Sequence, residues 1–76
     1  MNKNIGAEDM LRLKVKEIAT AKGYNMGKLS RASDVDRNTI KRMFDDPKYS
    51  PTVDTLYKVA KVLKVSIADL VEEIED

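Results

Sequence analysis

The stretch Met26–Phe44, read as MGKLSRASDVDRNTIKRMF, constrains the fold of this chain more than any other part of it. It reads as two short helices joined by a turn of three or four residues. The first is predicted from about Met26 to Ser33, and the second from about Arg37 to Phe44 with Asp36 as its N-cap. Leu29 and Ala32 lie three apart on one face of the first helix. Ile40, Met43 and Phe44 fall at i, i+3 and i+4 on the second. Between them Val35 stands alone as an apolar residue in a polar turn, and burying it would hold the two helices at a fixed angle. Asp34 stands where the turn needs a left-handed residue, a conformation that Asp tolerates. The outward side of the second helix then carries Arg37, Asn38, Lys41 and Arg42. These side chains are long or bidentate and suit base edges and phosphates.

That is the layout of a DNA-binding helix-turn-helix, whose second helix enters the major groove. Size and composition are compatible with it. Seventy-six residues make one small domain spanning 1–76. A chain of this size buries about 60–65% of the surface its unfolded form exposes, so the core must be compact. The sequence has no cysteine and no histidine. Disulfides, thiolate chemistry, histidine general bases and the usual zinc sites are thereby excluded. No nucleophile–base set or metal cluster is visible, so an enzyme is not expected, and neither is a cofactor or metal. No run approaches 18 apolar residues, and MNKNIGAED lacks the hydrophobic stretch of a signal peptide. The expectation is a cytoplasmic protein with no membrane partner. The formal net charge is only +1, but it is unevenly spread. Residues 1–51 hold 11 Lys or Arg against 7 Asp or Glu, a net of +4, while residues 52–76 carry −3. The basic half contains the helix pair. Composition alone fits an ordinary mixed-charge surface equally well.

Residues 1–6 are polar and are expected to fray. A first helix is predicted over about Ala7–Lys22, with Leu11, Val15 and Ile18 at i, i+4 and i+7 and with Met10 and Ala19 beside the stripe. Leu13 adds apolar area off that stripe. Glu8 and Asp9 in the first turn and Lys22 in the last suit the helix dipole, and Gly23 ends the helix. Asn25 caps the next helix. Gly27, in its first turn, either lets backbone N–H groups approach a phosphate or is simply tolerated there. After Phe44, DDPKYSP is a loop that presents Lys48 and Tyr49. Thr52 caps a fourth helix, about Val53–Lys64, with a stripe of Val53, Leu56, Ala60 and Leu63 widened by Val59 and Val62. Val65 closes that segment into the core. Ser66 caps a last short helix, SIADLVEEI, with Asp69 completing a near capping box. Its apolar face is Ile67, Leu70, Val71 and Ile74, and its acidic tail is expected to fray. No strand-like alternation stands out. The predicted fold is all-α, a compact bundle of five helices without a sheet.

The order of these parts resembles the Cro and phage-repressor type of helix-turn-helix protein, the lambda-repressor-like domain. The resemblance lies in KGYNMGKLSRASDVDRNTIKRMFDDP and SPTVDTLYKVAKVLKVSIADL. Leu29 and Ala32 stand for the family's Leu-Ala pair. Val35, Asp36, Arg37, Asn38, Thr39 and Ile40 stand for its Val-Ser-Arg-x-Thr-Ile run. Pro51, Thr52, Leu56, Ala60, Leu63 and Val65 follow its fourth-helix pattern. The sequence departs from it in three places. Met26 replaces a frequent phosphate-holding Gln, Asp34 replaces the turn glycine, and Phe44, Asp45 and Asp46 replace the usual Glu-x-Gly ending. The resemblance implies base reading by Arg37, Asn38, Lys41 and Arg42, with Lys41 either a base or a phosphate contact. Asn25, Lys28, Thr39 and Lys48 are candidate phosphate contacts that set register. It further implies a small stand-alone transcriptional regulator, a repressor, bound as a homodimer to a two-fold double-stranded DNA operator. Tyr57, Val62, Val71 and Ile74 are candidates for the dimer surface. Two rival readings stay open: an antitoxin that binds its own promoter and a toxin protein, and an interaction module that has lost DNA binding.

Overall fold

The computed structural model describes the backbone of residues 9–75 and the side chains of residues 11–73. The order of elements is β1 (Asp9–Leu13), α1 (Val15–Ala21), α2 (Met26–Ser33), α3 (Arg37–Asp45), α4 (Val53–Leu63), a 3₁₀ turn (Ile67–Leu70) and β2 (Val71–Glu75). The fold is thus mostly helical, with four α-helices and one small antiparallel sheet of two strands. The expected bundle of five helices without a sheet is corrected at both ends of the chain, and the two corrections have one cause.

Residues 9–13 were expected inside the first helix, yet they pair as a strand with residues 71–75, in the register Asp9↔Glu75, Leu11↔Glu73 and Leu13↔Val71. Local pattern favours a helix here, but long-range hydrogen bonds decide otherwise. The Leu13 N–H donates to the Pro47 carbonyl at 2.7 Å, and the Lys14 N–H donates to the Leu70 carbonyl at 2.8 Å. Leu13, off the predicted stripe, is buried, while Leu11, on it, is 60% exposed. Arg12 reaches its cross-strand partner Glu72 at 3.2 Å and Glu17 of α1 at 3.5 Å, which ties the ribbon to the helix behind it. The expected fraying of residues 1–6 and the first-turn role of Glu8 lie outside the described residues.

At the other end the Ser66–Asp69 capping box forms in full. The Asp69 N–H donates to Ser66 Oγ at 3.2 Å and the Ser66 N–H donates to Asp69 Oδ2 at 3.0 Å. It starts a single 3₁₀ turn rather than an α-helix. That turn buries Leu70 completely, and the chain is extended again at Val71. Val71-Glu-Glu-Ile-Glu75 is then taken by the strand, so the tail expected to fray is paired up to Glu75.

The central helices follow the sequence closely. Asn25 caps α2 by accepting from the Lys28 N–H at 2.8 Å, and Thr52 caps α4 by accepting from the Thr55 N–H at 3.1 Å. Gly23 adopts φ +85° beyond α1, where a side chain would be strained. Among the described residues the largest fully buried side chains are Val15, Leu29, Ile40, Met43, Val59, Leu63 and Leu70. Each such side chain contributes about 1.5–3 kcal/mol through removal from water. Two expected faces are rotated. On α2 the inward pair is Leu29 and Ser33, and Ala32 is exposed. Burial of Ser33 is made tolerable by its hydroxyl, which donates to the Leu29 carbonyl at 2.6 Å. On α4 Val59 joins Ala60 and Leu63 inside, while Val53 is 71% exposed.

Candidate nucleic-acid interface

The turn between α2 and α3 sets the site. Asp34 takes the left-handed conformation, with φ 60° and ψ 36°. The Ser30 hydroxyl donates to the Val35 carbonyl at 2.6 Å, closing the turn, and Val35 is buried as expected. Asp36 then caps α3, its carboxylate accepting from the N–H groups of Asn38 at 2.9 Å and Thr39 at 3.3 Å. Ile40 and Met43 anchor the inner face of α3 in the core. Phe44, placed with them by the sequence, is half-buried and packs against that core.

With the inner face fixed, Arg37, Asn38, Lys41 and Arg42 fall at i, i+1, i+4 and i+5 on the opposite side, and all four are exposed. They are not equivalent. Lys41 Nζ binds Asp45 Oδ2 at 2.7 Å along the helix. The Arg42 guanidinium lies over the Tyr49 ring, 4.6 Å from its centroid. Arg37 stands at the N-terminus of α3, beside the start of α2. A Cβ built on Gly27 would lie 3.5 Å from Arg31 Nη1, 3.9 Å from Arg37 Nη1 and 3.7 Å from Asn25 Oδ1. The space above Gly27 is therefore shared by two guanidinium groups and the capping amide.

The other expected contacts are placed less uniformly. Asn25 and Lys28 are exposed at the start of α2. The Asn25 carbonyl oxygen is spent on the cap, which leaves its NH₂ group to donate outward. Lys48 is exposed in the turn after α3, where its N–H donates to Asp46 Oδ1 at 3.0 Å. Thr39 is half-buried, and its N–H is committed to Asp36. Sequence reasoning does not single out Arg31, and it sets Tyr49 at the loop surface, whereas Tyr49 is half-buried against the core. Arg31 could have been found from its spacing of four residues from Gly27, which puts both on one helical face. Tyr49 carries no local signal, because its relation to Arg42 depends on how the loop folds back. Asp45 and Asp46, noted in the sequence only as departures, have visible partners. One holds Lys41, and the other accepts from Lys48 and shapes the turn.

No helix of the described residues is long and apolar enough to cross a membrane. A comparison with curated proteins gives no significant match. Among solved structures, the fold is similar to that of the transcriptional regulator VanUg (crystal form II), with a TM-score of 0.73 over 100% of both chains and 12% sequence identity. A family model described as helix-turn-helix matches residues 15–70, which run from the first residue of α1 to the end of the 3₁₀ turn. By that match the chain belongs to the helix-turn-helix family of the Cro/C1 type.

Proposed function

We propose that this protein is a DNA-binding transcriptional regulator, a repressor, that sets α3 into the major groove of a specific operator. The observation that carries the reading is the division of α3. Its apolar side is locked into the core by Ile40 and Met43, and its other side presents Arg37, Asn38, Lys41 and Arg42 to solvent. Arg37 and Arg42 suit bidentate contacts to guanine, and Asn38 suits adenine. Asn25, Lys28 and Lys48 flank them as phosphate contacts, and Thr39 is retained as a contact through its side chain alone. Family membership and the fold shared with a transcriptional regulator support the same conclusion.

The reading includes a homodimer on a two-fold site, with half-sites about one helical turn apart. Tyr57, 53% exposed on α4, and the half-buried Val62 and Val71 supply apolar area for it. The Ile74 side chain, expected there too, lies outside the described residues. Sedimentation of the protein alone and with a selected duplex reads the stoichiometry.

The deciding experiment is selection of bound duplexes from a random pool, followed by binding measured over a range of salt. A single enriched motif, with affinity falling steeply as salt rises, is the expected result. Arg37→Ala should cost about 1–3 kcal/mol and relax preference at one base pair. Absence of any enriched motif, or a variant that binds every sequence as the parent does, would remove the assignment.

A further inference from the structure

We propose that Tyr49 is a positioning residue for base reading: its ring holds the Arg42 guanidinium in the orientation in which it meets a base. This rests on the regulator reading above and adds a residue outside α3 to the determinants of sequence preference. An arginine on an exposed helix face has many rotamers, and a bidentate contact uses only a few of them. A planar cation laid on an aromatic face has already surrendered much of that freedom before the base arrives.

Tyr49 is built to do this, because it is itself held from several sides. It is half-buried and packs against the core. Its N–H donates to the Asp46 carbonyl at 3.0 Å, and Asp46 Oδ1 accepts from the Lys48 N–H at 3.0 Å, so the turn leaving α3 is closed tightly. The same turn is fastened to β1 through the Leu13 N–H and the Pro47 carbonyl. A second cation–aromatic pair makes the contrast. Lys61 lies 5.8 Å from the Tyr57 centroid, but that ring is 53% exposed, the pair is four residues apart on α4, and no candidate base-reading residue belongs to it. Arg42 is closer to its ring, that ring is partly buried against the core, and Arg42 shares the face of α3 with Arg37 and Asn38. Its neighbour Lys41 is held instead by an acidic partner, Asp45. Arg42 is therefore the member of this face whose direction is set by an uncharged platform, with no carboxylate paired to it among the described residues.

The test compares the full chain with Tyr49→Leu, Tyr49→Phe, Arg42→Ala and the Tyr49→Leu/Arg42→Ala double variant. Leucine keeps an apolar side chain against the core but offers no ring face. Phenylalanine keeps the ring and removes the hydroxyl. In the free protein the Arg42 side-chain protons should be shifted upfield by the ring, and the shift should vanish in Tyr49→Leu and persist in Tyr49→Phe. In duplex selection Arg42→Ala should lose its preference at one base pair. Tyr49→Leu should lose about 3- to 5-fold of the discrimination at that same pair and little elsewhere. Tyr49→Phe should match the parent, and the double variant should be no worse at that pair than Arg42→Ala alone. Uniform loss across all sequences in Tyr49→Leu, or equal loss in Tyr49→Phe, would overturn the proposal and give the ring or its hydroxyl a merely structural or phosphate role. Ordinary Arg42 chemical shifts in the free protein would overturn it while leaving the regulator reading intact. If the parent selects no duplex, both fall together.

Discussion

Lys64 and Asp34 adopt nearly the same backbone angles, with φ 61° and 60°, and only one of them was visible in advance. Asp34 follows a predicted helix in a predicted turn, and its short polar side chain tolerates the left-handed region. Lys64 closes α4, where a glycine would be the ordinary choice, and nothing in its side chain suits the conformation. The strain at Lys64 exceeds the entropy a glycine would add to the unfolded chain. Lys64→Gly should therefore raise stability by about 0.5–1 kcal/mol, read as a higher urea midpoint with an unchanged slope. Asp34→Gly should gain less. The candidate site was similarly legible residue by residue. The outward side of α3 follows from Ile40 and Met43 pointing inward, so Arg37, Asn38, Lys41 and Arg42 could be named from spacing alone. Arg42's platform and Lys41's acid partner could not, since an ion pair four residues apart is one of several choices open to a lysine and a ring across a loop is invisible to any local pattern.

At the scale of elements, α2, α3 and α4 were legible because caps and apolar spacing agreed, with Asn25, Asp36 and Thr52 each capping as expected. The two ends were not. Leu11, Val15 and Ile18 satisfy a helical stripe, and only the pairing of residues 9–13 with 71–75 reveals that Leu11 belongs to a strand and faces out. Truncation separates the two arrangements. Leu13→Ala should cost about 2–4 kcal/mol, because it empties a buried position, whereas Leu11→Ala should stay within about 0.5 kcal/mol. A larger loss for Leu11→Ala than for Leu13→Ala in chemical denaturation would favour the helix that the stripe suggests. The capping box gives a pH signature. The Asp69 carboxyl is held below its ordinary value, first by the Ser66 N–H and then by the Ser66 hydroxyl. A carboxylate so depressed stabilises the fold fully above its unfolded-state value, near pH 4, and loses that contribution as pH falls through the lower folded value. The stability difference between the parent and Asp69→Asn should thus be constant around neutrality and shrink in acid. A difference that grows on acidification would contradict the cap.

Across the whole molecule, charge and shape are both uneven. The described residues extend 39 × 21 × 21 Å, and the basic surplus of residues 1–51 contains both α2 and α3. Asp45 works against that surplus by binding Lys41. Asp45→Asn should free one cation, raise affinity for all duplexes alike, and steepen the dependence of log affinity on log salt by about one. An unchanged slope would mean that Lys41 stays away from phosphates. The ribbon belongs to this scale as well, since it joins the two ends of the described chain and fastens, through Leu13 and Pro47, the turn that carries Lys48 and Tyr49. One amide proton consequently reports on that link. Its exchange with deuterium requires the β1 backbone to let go of the α3–α4 connection, so the protection of Leu13 is a native gauge of how firmly the segment leaving α3 is moored.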